Sequence, residues 1–530
     1  MKKIIYTFCL VVVTLFFHSC DNLDLAPIDY SGSGNYWKNE SQVENFMIGM
    51  HNDLREQLVI NNCVMGEFRG ETMSTRSNTC GSSNRYPNEI VNAISEDNPL
   101  TKDWAGFYIR ILQVNHMIDN LENACSFLDD NSRNYYKGVA YGLRAYYYFW
   151  LYRTYGGVPL ELTAKVAGGD FAVTDLYLKR STAEETLSQI KKDVESSLDA
   201  FNSTNKTRNY YYWSKNASLM LKAEVYIWSA KVFTDDATGP HNPTGTVDLQ
   251  IAKTALNEII GKYSLGDFST LFTHEAKLNN KEVIMSLYLD KDEYVKRDFF
   301  RGFFYHNNFA GNNMVDAEGN DLTDPLVLMG EGLLSSEYKE SLVKSFSKKD
   351  SRLDATFYVY YRKNDGVFGC NMLKFFGQNI DGVHYFDPDI FLYRYADAVL
   401  MMAEIENGLS GKCATYINEI RRRAYGDNYS EEVAYKDGSF AENELAILKE
   451  RDKEFVGEGK RWFDLLRLQD SNKEPLVFSI EAAYATDEGV TAVLDKATES
   501  YKVLWPIERT LLNNDPELTQ TVNYPTKSDK

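Results

Sequence analysis

Apolar positions along most of this chain recur with the period of a helix, about 3.6 residues, and many of them are rings. Leu143, Tyr147, Trp150 and Leu151 fall at i, i+4, i+7 and i+8, one stripe of a helix that Gly156, Gly157 and Pro159 bring to an end. Leu219, Ala223, Tyr226, Ile227 and Ala230 form a second stripe. Leu392, Tyr395, Ala396, Val399, Met402 and Ala403 form a third. Large rings alternating with alanine let two helices approach closely, as in stacked helical hairpins. Further helices are predicted at 38–57, 104–125, 181–201, 249–262, 412–424 and 442–468. The expected fold is mostly α, a tetratricopeptide-like helical-hairpin scaffold, although the exact repeat consensus is absent.

The helical period fails between 266 and 390, where FFRGFFYHNNFAGNN (299–313) and FYVYYRKNDGVFGCNMLKFFG (357–377) mix rings with Gly, Asn and Asp. An insertion of irregular loops and short strands is expected there. The stretch 66–86, GEFRGETMSTRSNTCGSSNRY, is a second long polar loop. The expected organisation is a leader at 1–19, helical regions at 20–265 and 391–530, and the insertion 266–390 between them.

The leader has its own pattern. Lys2 and Lys3 precede an apolar run from Ile4 to Phe17, then Ser19 and Cys20. Such a run is too short to span a membrane and reads as a secretory signal. A small residue directly before Cys resembles a bacterial lipobox, which makes Cys20 the lipidated first residue of the mature protein. The alternative is an ordinary secreted protein cut elsewhere.

Charge narrows the partners. The 530 residues carry 57 basic and 76 acidic side chains, a net charge of −19, and this sign repels phosphate backbones. No nucleic-acid partner is expected, and an uncharged or cationic ligand fits better. Beyond the leader, Cys63, Cys80, Cys125, Cys370 and Cys413 are odd in number and form no CxxC pair, so free, buried thiols are expected. A pairing of Cys63 with Cys80 across the loop between them stays open.

No HExxH, GxSxG, Walker or GxGxxG element occurs, and the histidines after His18 lie more than 30 residues apart. The sequence therefore offers no catalytic residue, no metal ligand and no cofactor site, and a non-enzyme is expected. Glu450, Glu454 and Glu458 share one helix face near Arg451, Lys460, Arg461 and Arg467. They read as an ion-pair lattice rather than as the paired carboxylates of a glycosidase. Arg421, Arg422 and Arg423 offset the dipole of a helix that stops at Gly426. Trp150 and Trp228 belong to core stripes. The rings free to meet a ligand are those in loops, Tyr86, Phe304 and Tyr305, beside Arg69, Glu71, Arg76, Asn78 and Asn308. Rings stack on the C–H faces of sugars, and amides, guanidiniums and carboxylates satisfy their hydroxyls.

In order along the chain, NYWKNESQVENFMIGMHNDL (35–54), WAGFYIRILQVNHMI (104–118), LRAYYYFWLYRTYGGVPL (143–160) and SSEYKESLVKSFSKKDSRLDATF (335–357) resemble the SusD/RagB family of Bacteroidetes outer-membrane lipoproteins. So do LYRYADAVLMMAEIENGL (392–409), YINEIRRRAYG (416–426), ERDKEFVGEGKRWFDLLRL (450–468) and VLWPIERTLLNNDPELTQTVNYP (503–525). The resemblance implies a tetratricopeptide-like scaffold carrying irregular loops. It also implies a surface-exposed lipoprotein held on the outer membrane through Cys20, which captures oligosaccharides for a SusC-like TonB-dependent transporter. Asp21 and Asp24 resemble the surface-export signals of such lipoproteins. Tyr36, Trp37, Trp104, Arg144, Asp397, Glu404, Arg461, Asp464, Trp505 and Pro506 match family positions of structural character. Ligand contacts in the family lie in variable loops, so none is carried over. The RagB branch makes peptide capture a second reading, and a surface glycoside hydrolase is a third.

Overall fold

Helix ends follow from capping side chains. In the computed structural model, Asn39 accepts the Gln42 amide at 3.1 Å and opens helix α1, Glu40–Gly66. The structure describes residues 36–75, 79, 86–99, 104–165, 172–277, 279–292, 300, 313–323, 326, 336–486 and 488–524. Helix α2 is Trp104–Asn123. Asp129 caps α3, Asp130–Tyr155, and a Thr182/Glu185 capping box opens α4, Ala183–Asn202. Ser214 caps α5, Lys215–Lys231, and α6 is Thr246–Asn257. Helix α7, Tyr395–Ser410, ends on Gly411 in the left-handed region and leads to α8, Ala414–Tyr425. A Ser439/Glu442 box opens α9, Phe440–Phe455, and α10 is Arg461–Arg467. From α1 to α8 each helix packs on the next, and α9 lies against α7. That is the expected ladder of helical hairpins.

Helix α3 gathers many of the chain's rings. Every residue from Leu143 to Tyr155 is buried, including the rings of Tyr146, Tyr147, Tyr148, Phe149, Trp150, Tyr152 and Tyr155. Neighbours reach this helix where it has no side chain. A Cβ at Gly138 would stand 2.9 Å from the Phe201 ring, and one at Gly142 only 2.0 Å from Trp213 Nε1. Ser197 Oγ then donates to the Gly138 carbonyl at 2.6 Å, tying α4 to α3.

Short strands lie between residues 283 and 394. β1, Val283–Leu287, pairs antiparallel with β7, Ile390–Arg394. β2, Met314–Val315, β3, Phe357–Arg362, and β4, Phe368–Met372, form a three-stranded antiparallel sheet. β5, Gln378–Ile380, and β6, Val383–Tyr385, make a hairpin.

Four expectations are corrected. The single helix expected at 442–468 is two, because Gly457 and Gly459 take φ of 81° and 73° between α9 and α10. The break seats Gly459 against α1, where a Cβ on Gly66 would stand 1.9 Å from the Gly459 carbonyl oxygen. Leu392 belongs to β7, not to the helix stripe that begins at Tyr395. The helix expected at 38–57 continues to Gly66, and that at 249–262 is Thr246–Asn257.

The carboxylate lattice exists, with more distant partners than the sequence suggested. Glu450 takes Arg352 and Arg421, each at 2.8 Å, and Glu458 takes Lys374 at 2.7 Å and Arg394 at 2.8 Å. Glu454 binds Arg352 at 3.1 Å, Arg394 at 2.6 Å and Arg423. Burial pushes the Glu454 carboxyl up, but Arg423, Arg394 and Arg352 together hold it well below the usual carboxylate range. Arg423 is therefore an ion-pair partner of α9 rather than only a counter-charge to the α8 dipole. Cys63, Cys125, Cys370 and Cys413 are buried free thiols; Cys80 lies outside the described residues. Among the described residues no helix is long and apolar enough to cross a membrane.

Candidate functional site

The loops 66–86 and 299–313 are separated by two hundred residues of helix and strand, yet the described residues at their borders meet around the β2–β3–β4 sheet. Alternation along β3 puts Tyr358, Tyr360 and Arg362 on one face and Phe357, Val359 and Tyr361 on the other. Phe357, with Cys370 and Met372 of β4, joins the main core. The opposite face carries a small separate cluster of Tyr360, Met314, Leu322 and Tyr358. Tyr360 is closed over by Thr79 of the first loop. Gly369 stands opposite it in β4, and a Cβ there would be 2.4 Å from the Tyr360 ring and 2.7 Å from Thr79 Cγ2. Thr79 Oγ1 and Tyr360 OH donate to one carboxylate, Glu337, the tyrosine at 3.3 Å.

The same sheet receives the other borders. Ser74 N donates to the Glu337 carbonyl at 2.9 Å, and Ser336 Oγ to the Ser74 carbonyl at 2.5 Å. Lys363 N donates to the Asn313 carbonyl, and the Phe300 ring lies 5.1 Å from Phe375 just beyond β4. At the outer end of the sheet, Arg362 clamps Asp365 at 2.6–3.2 Å and Lys363 reaches Asp321 at 2.6 Å. The half-buried Tyr358 ring and these solvated ion pairs give the surface the two elements a saccharide needs, a ring and planar hydrogen-bonding groups. Among the described residues no cluster of His, Cys, Asp or Glu is placed to hold a metal ion.

The residues proposed from sequence divide. Arg76, Asn78, Phe304, Tyr305 and Asn308 lie outside the described residues, as does Cys20. Arg69 is corrected from a surface contact to an internal one. Its side chain is 0 % exposed, with the guanidinium carbon 3.8 Å from the Trp462 ring centroid and 4.9 Å from that of Trp505. Its Nε donates to Asn92 Oδ1 at 2.7 Å and its Nη2 to the Lys502 carbonyl at 2.5 Å. Burial lowers its pKa to about 9. Glu71 sits at φ 65°, pairs with Lys339 and accepts the Tyr484 amide at 3.1 Å, so both oxygens hold framework. Tyr86 is half-buried, its ring 5.2 Å from Phe68. The sheet also brings Tyr358 and Arg362 beside these borders, and the sequence reading did not single them out. The alternation of rings in 357–362 carried that signal, read there only as strand.

A separate cleft of about 640 Å³ opens between α5, α6 and the C-terminal segment, lined by Phe233, Phe440, Tyr501 and Lys473.

Residues 362–524 match the model of the SusD family, and residues 23–227 match the model described as starch-binding associating with outer membrane. A SusD superfamily protein of Bacteroides fragilis is 34 % identical, with 92 % of this chain and 100 % of that one superposed at a TM-score of 0.82. NanU of B. fragilis is 32 % identical over 95 % of this chain and 100 % of its own, with a TM-score of 0.76. SusD-like protein P38 of Formosa agariphila is 25 % identical over 99 % of each chain.

Proposed function

Because the chain belongs to the SusD/RagB family, we propose that it is a non-catalytic glycan-capture lipoprotein of the outer-membrane surface. Lipid on Cys20 anchors it. One acyl chain alone would give marginal attachment, but a bacterial lipoprotein carries several, and contact with a SusC-like TonB-dependent transporter adds to them. Captured oligosaccharide passes to that transporter when the two proteins part and close. The observation that carries this reading is the meeting of the 66–86 and 299–313 loop borders on one small sheet. The match to a starch-binding family model supports it. Individually weak ring and hydroxyl contacts suffice, because the transporter keeps the ligand at high local concentration.

The test is a glycan array probed with the purified chain lacking residues 1–20. The expected result is retention of one glycan class with no reducing ends released. A blank array would sink the proposal, and release of reducing ends would replace capture with hydrolysis.

A further inference from the structure

We infer that a second saccharide-binding site lies between the middle of α1, the turn before α5 and the end of β1. The inference rests on the glycan-capture reading and goes beyond it by naming a site away from the β2–β4 sheet. The pocket there holds about 350 Å³, at the small end of the usual range for ligand sites, which suits a mono- or disaccharide unit. Arg55 precedes the end of α1 by 11 residues, so at 1.5 Å per residue the pocket sits about 16 Å along the helix from the start of the 66–86 loop.

Tyrosines form its walls, and their orientations are fixed before any ligand arrives. Tyr211 OH donates to Asp389 at 2.6 Å, and Asp389 is held by Lys277 at 3.4 Å. Tyr288 OH donates to Asp290 at 2.7 Å. The two rings stand edge to face, centroids 4.8 Å apart. Tyr212 is braced by His51 at 5.1 Å and by the Arg208 guanidinium at 5.0 Å. Lys277 Nζ lies 5.1 Å from the Tyr288 ring centroid and Tyr210 4.7 Å from that of Tyr211, so the rings are held in place and binding costs little ordering of side chains.

Polar groups sit beside the rings. Arg55 Nη1 donates to the Tyr288 carbonyl at 3.0 Å, bridging α1 to the end of β1. Asn52 is exposed and its carboxamide has no partner among the described residues. Its donor and acceptor match the vicinal hydroxyls of a sugar. The nearby carboxylates Asp290 and Asp389 are taken by tyrosine and lysine, so neither stands open against a saccharide unit. Two sites on one scaffold raise the avidity for chains long enough to touch both.

The experiment takes the strongest array glycan and measures its affinity by calorimetry, in a long and a short form, for wild type, Asn52→Ala and Tyr212→Ala. The expected result is a loss of several-fold for the long form in both variants, with unchanged melting in Asn52→Ala. Long-form affinity unchanged in Asn52→Ala and Tyr212→Ala overturns the second site while leaving glycan capture intact. A blank array removes glycan capture itself, and this site with it.

Discussion

Replacing Arg69 with alanine separates a framework role from a ligand role. Two indoles face the guanidinium, at 3.8 Å and 4.9 Å from its carbon, and desolvated cation–π contacts contribute about 2 kcal/mol each. Two hydrogen bonds from the charged group, to Asn92 and Lys502, add about 2 kcal/mol each. Against this roughly 8 kcal/mol stands the cost of keeping the cation out of water. Burial lowers its pKa from 12.5 to about 9, a penalty of about 5 kcal/mol. The net stabilisation lost in Arg69→Ala is therefore about 3 kcal/mol. Urea unfolding followed by tryptophan fluorescence reads it, since Trp462 and Trp505 report on the site. Arg69→Lys recovers little, because an ammonium has no planar face to lay on a ring and no fork to reach both Asn92 and Lys502. If Arg69→Ala unfolded at the wild-type urea concentration while losing glycan affinity, the assignment to the framework would be refuted.

Glycine at 142 is the next test: Gly142→Ala drives a Cβ to 2.0 Å from the buried Trp213 indole and should cost about 2–3 kcal/mol by urea unfolding. Gly49→Ala meets nothing within 4 Å and should be neutral or stabilising by about 0.5–1 kcal/mol; equal effects at the two sites would refute the packing argument. Burial lowers the His51 pKa from 6.5 to about 4, with Nδ1–H donating to the Met47 carbonyl and Nε2 accepting from Trp213 N. The unfolded chain then takes up a proton between pH 6.5 and 4 that the folded chain refuses. Stability is full above pH 6.5 and falls by about 3 kcal/mol as pH drops to 4. His51→Gln should flatten that slope in urea titrations, and parallel profiles would count against it. Glu454→Gln leaves Arg352, Arg394 and Arg423 facing a neutral amide and should cost about 3–5 kcal/mol by thermal melting; a melt matching wild type would contradict the lattice.

The scaffold was legible because burial imposes a period. The run of rings from Tyr146 to Trp150, with Tyr152 and Tyr155, puts aromatic surface on every side of 143–155, which means a helix with neighbours all round, and α3 is buried along that whole stretch. What periodicity cannot carry is a backbone break that keeps its hydrophobicity. Residues 442–468 stay helical in pattern, yet Gly457 and Gly459 turn the chain because α1 needs the space. Arg69 was misread for a related reason. A cation in a polar loop looks solvated, and only the fold brings Trp462 and Trp505, some four hundred residues away, against its guanidinium. Glu337 carries no spacing signal at all, since its meeting with Thr79 of the 66–86 stretch is made by chain reversal rather than by sequence.

The buried ion lattice has a positional consequence as well as an energetic one. Arg394 closes β7 and also precedes α7, and its guanidinium takes Glu282 at 2.6 Å, Glu454 at 2.6 Å and Glu458 at 2.8 Å. Glu282 directly precedes β1, the strand that floors the Tyr211–Tyr288 pocket. Arg352 precedes β3, the centre of the sheet where the loops meet, and takes Asp350, Glu450 and Glu454. Both candidate saccharide surfaces thus hang from one helix face, through two arginines that share Glu454. Removing such a charge from a dry site costs more than the pair contributes, so the lattice holds each strand in one place rather than adding net stability. A loop can then vary its ligand contacts freely, because its borders are fixed by residues that touch no ligand.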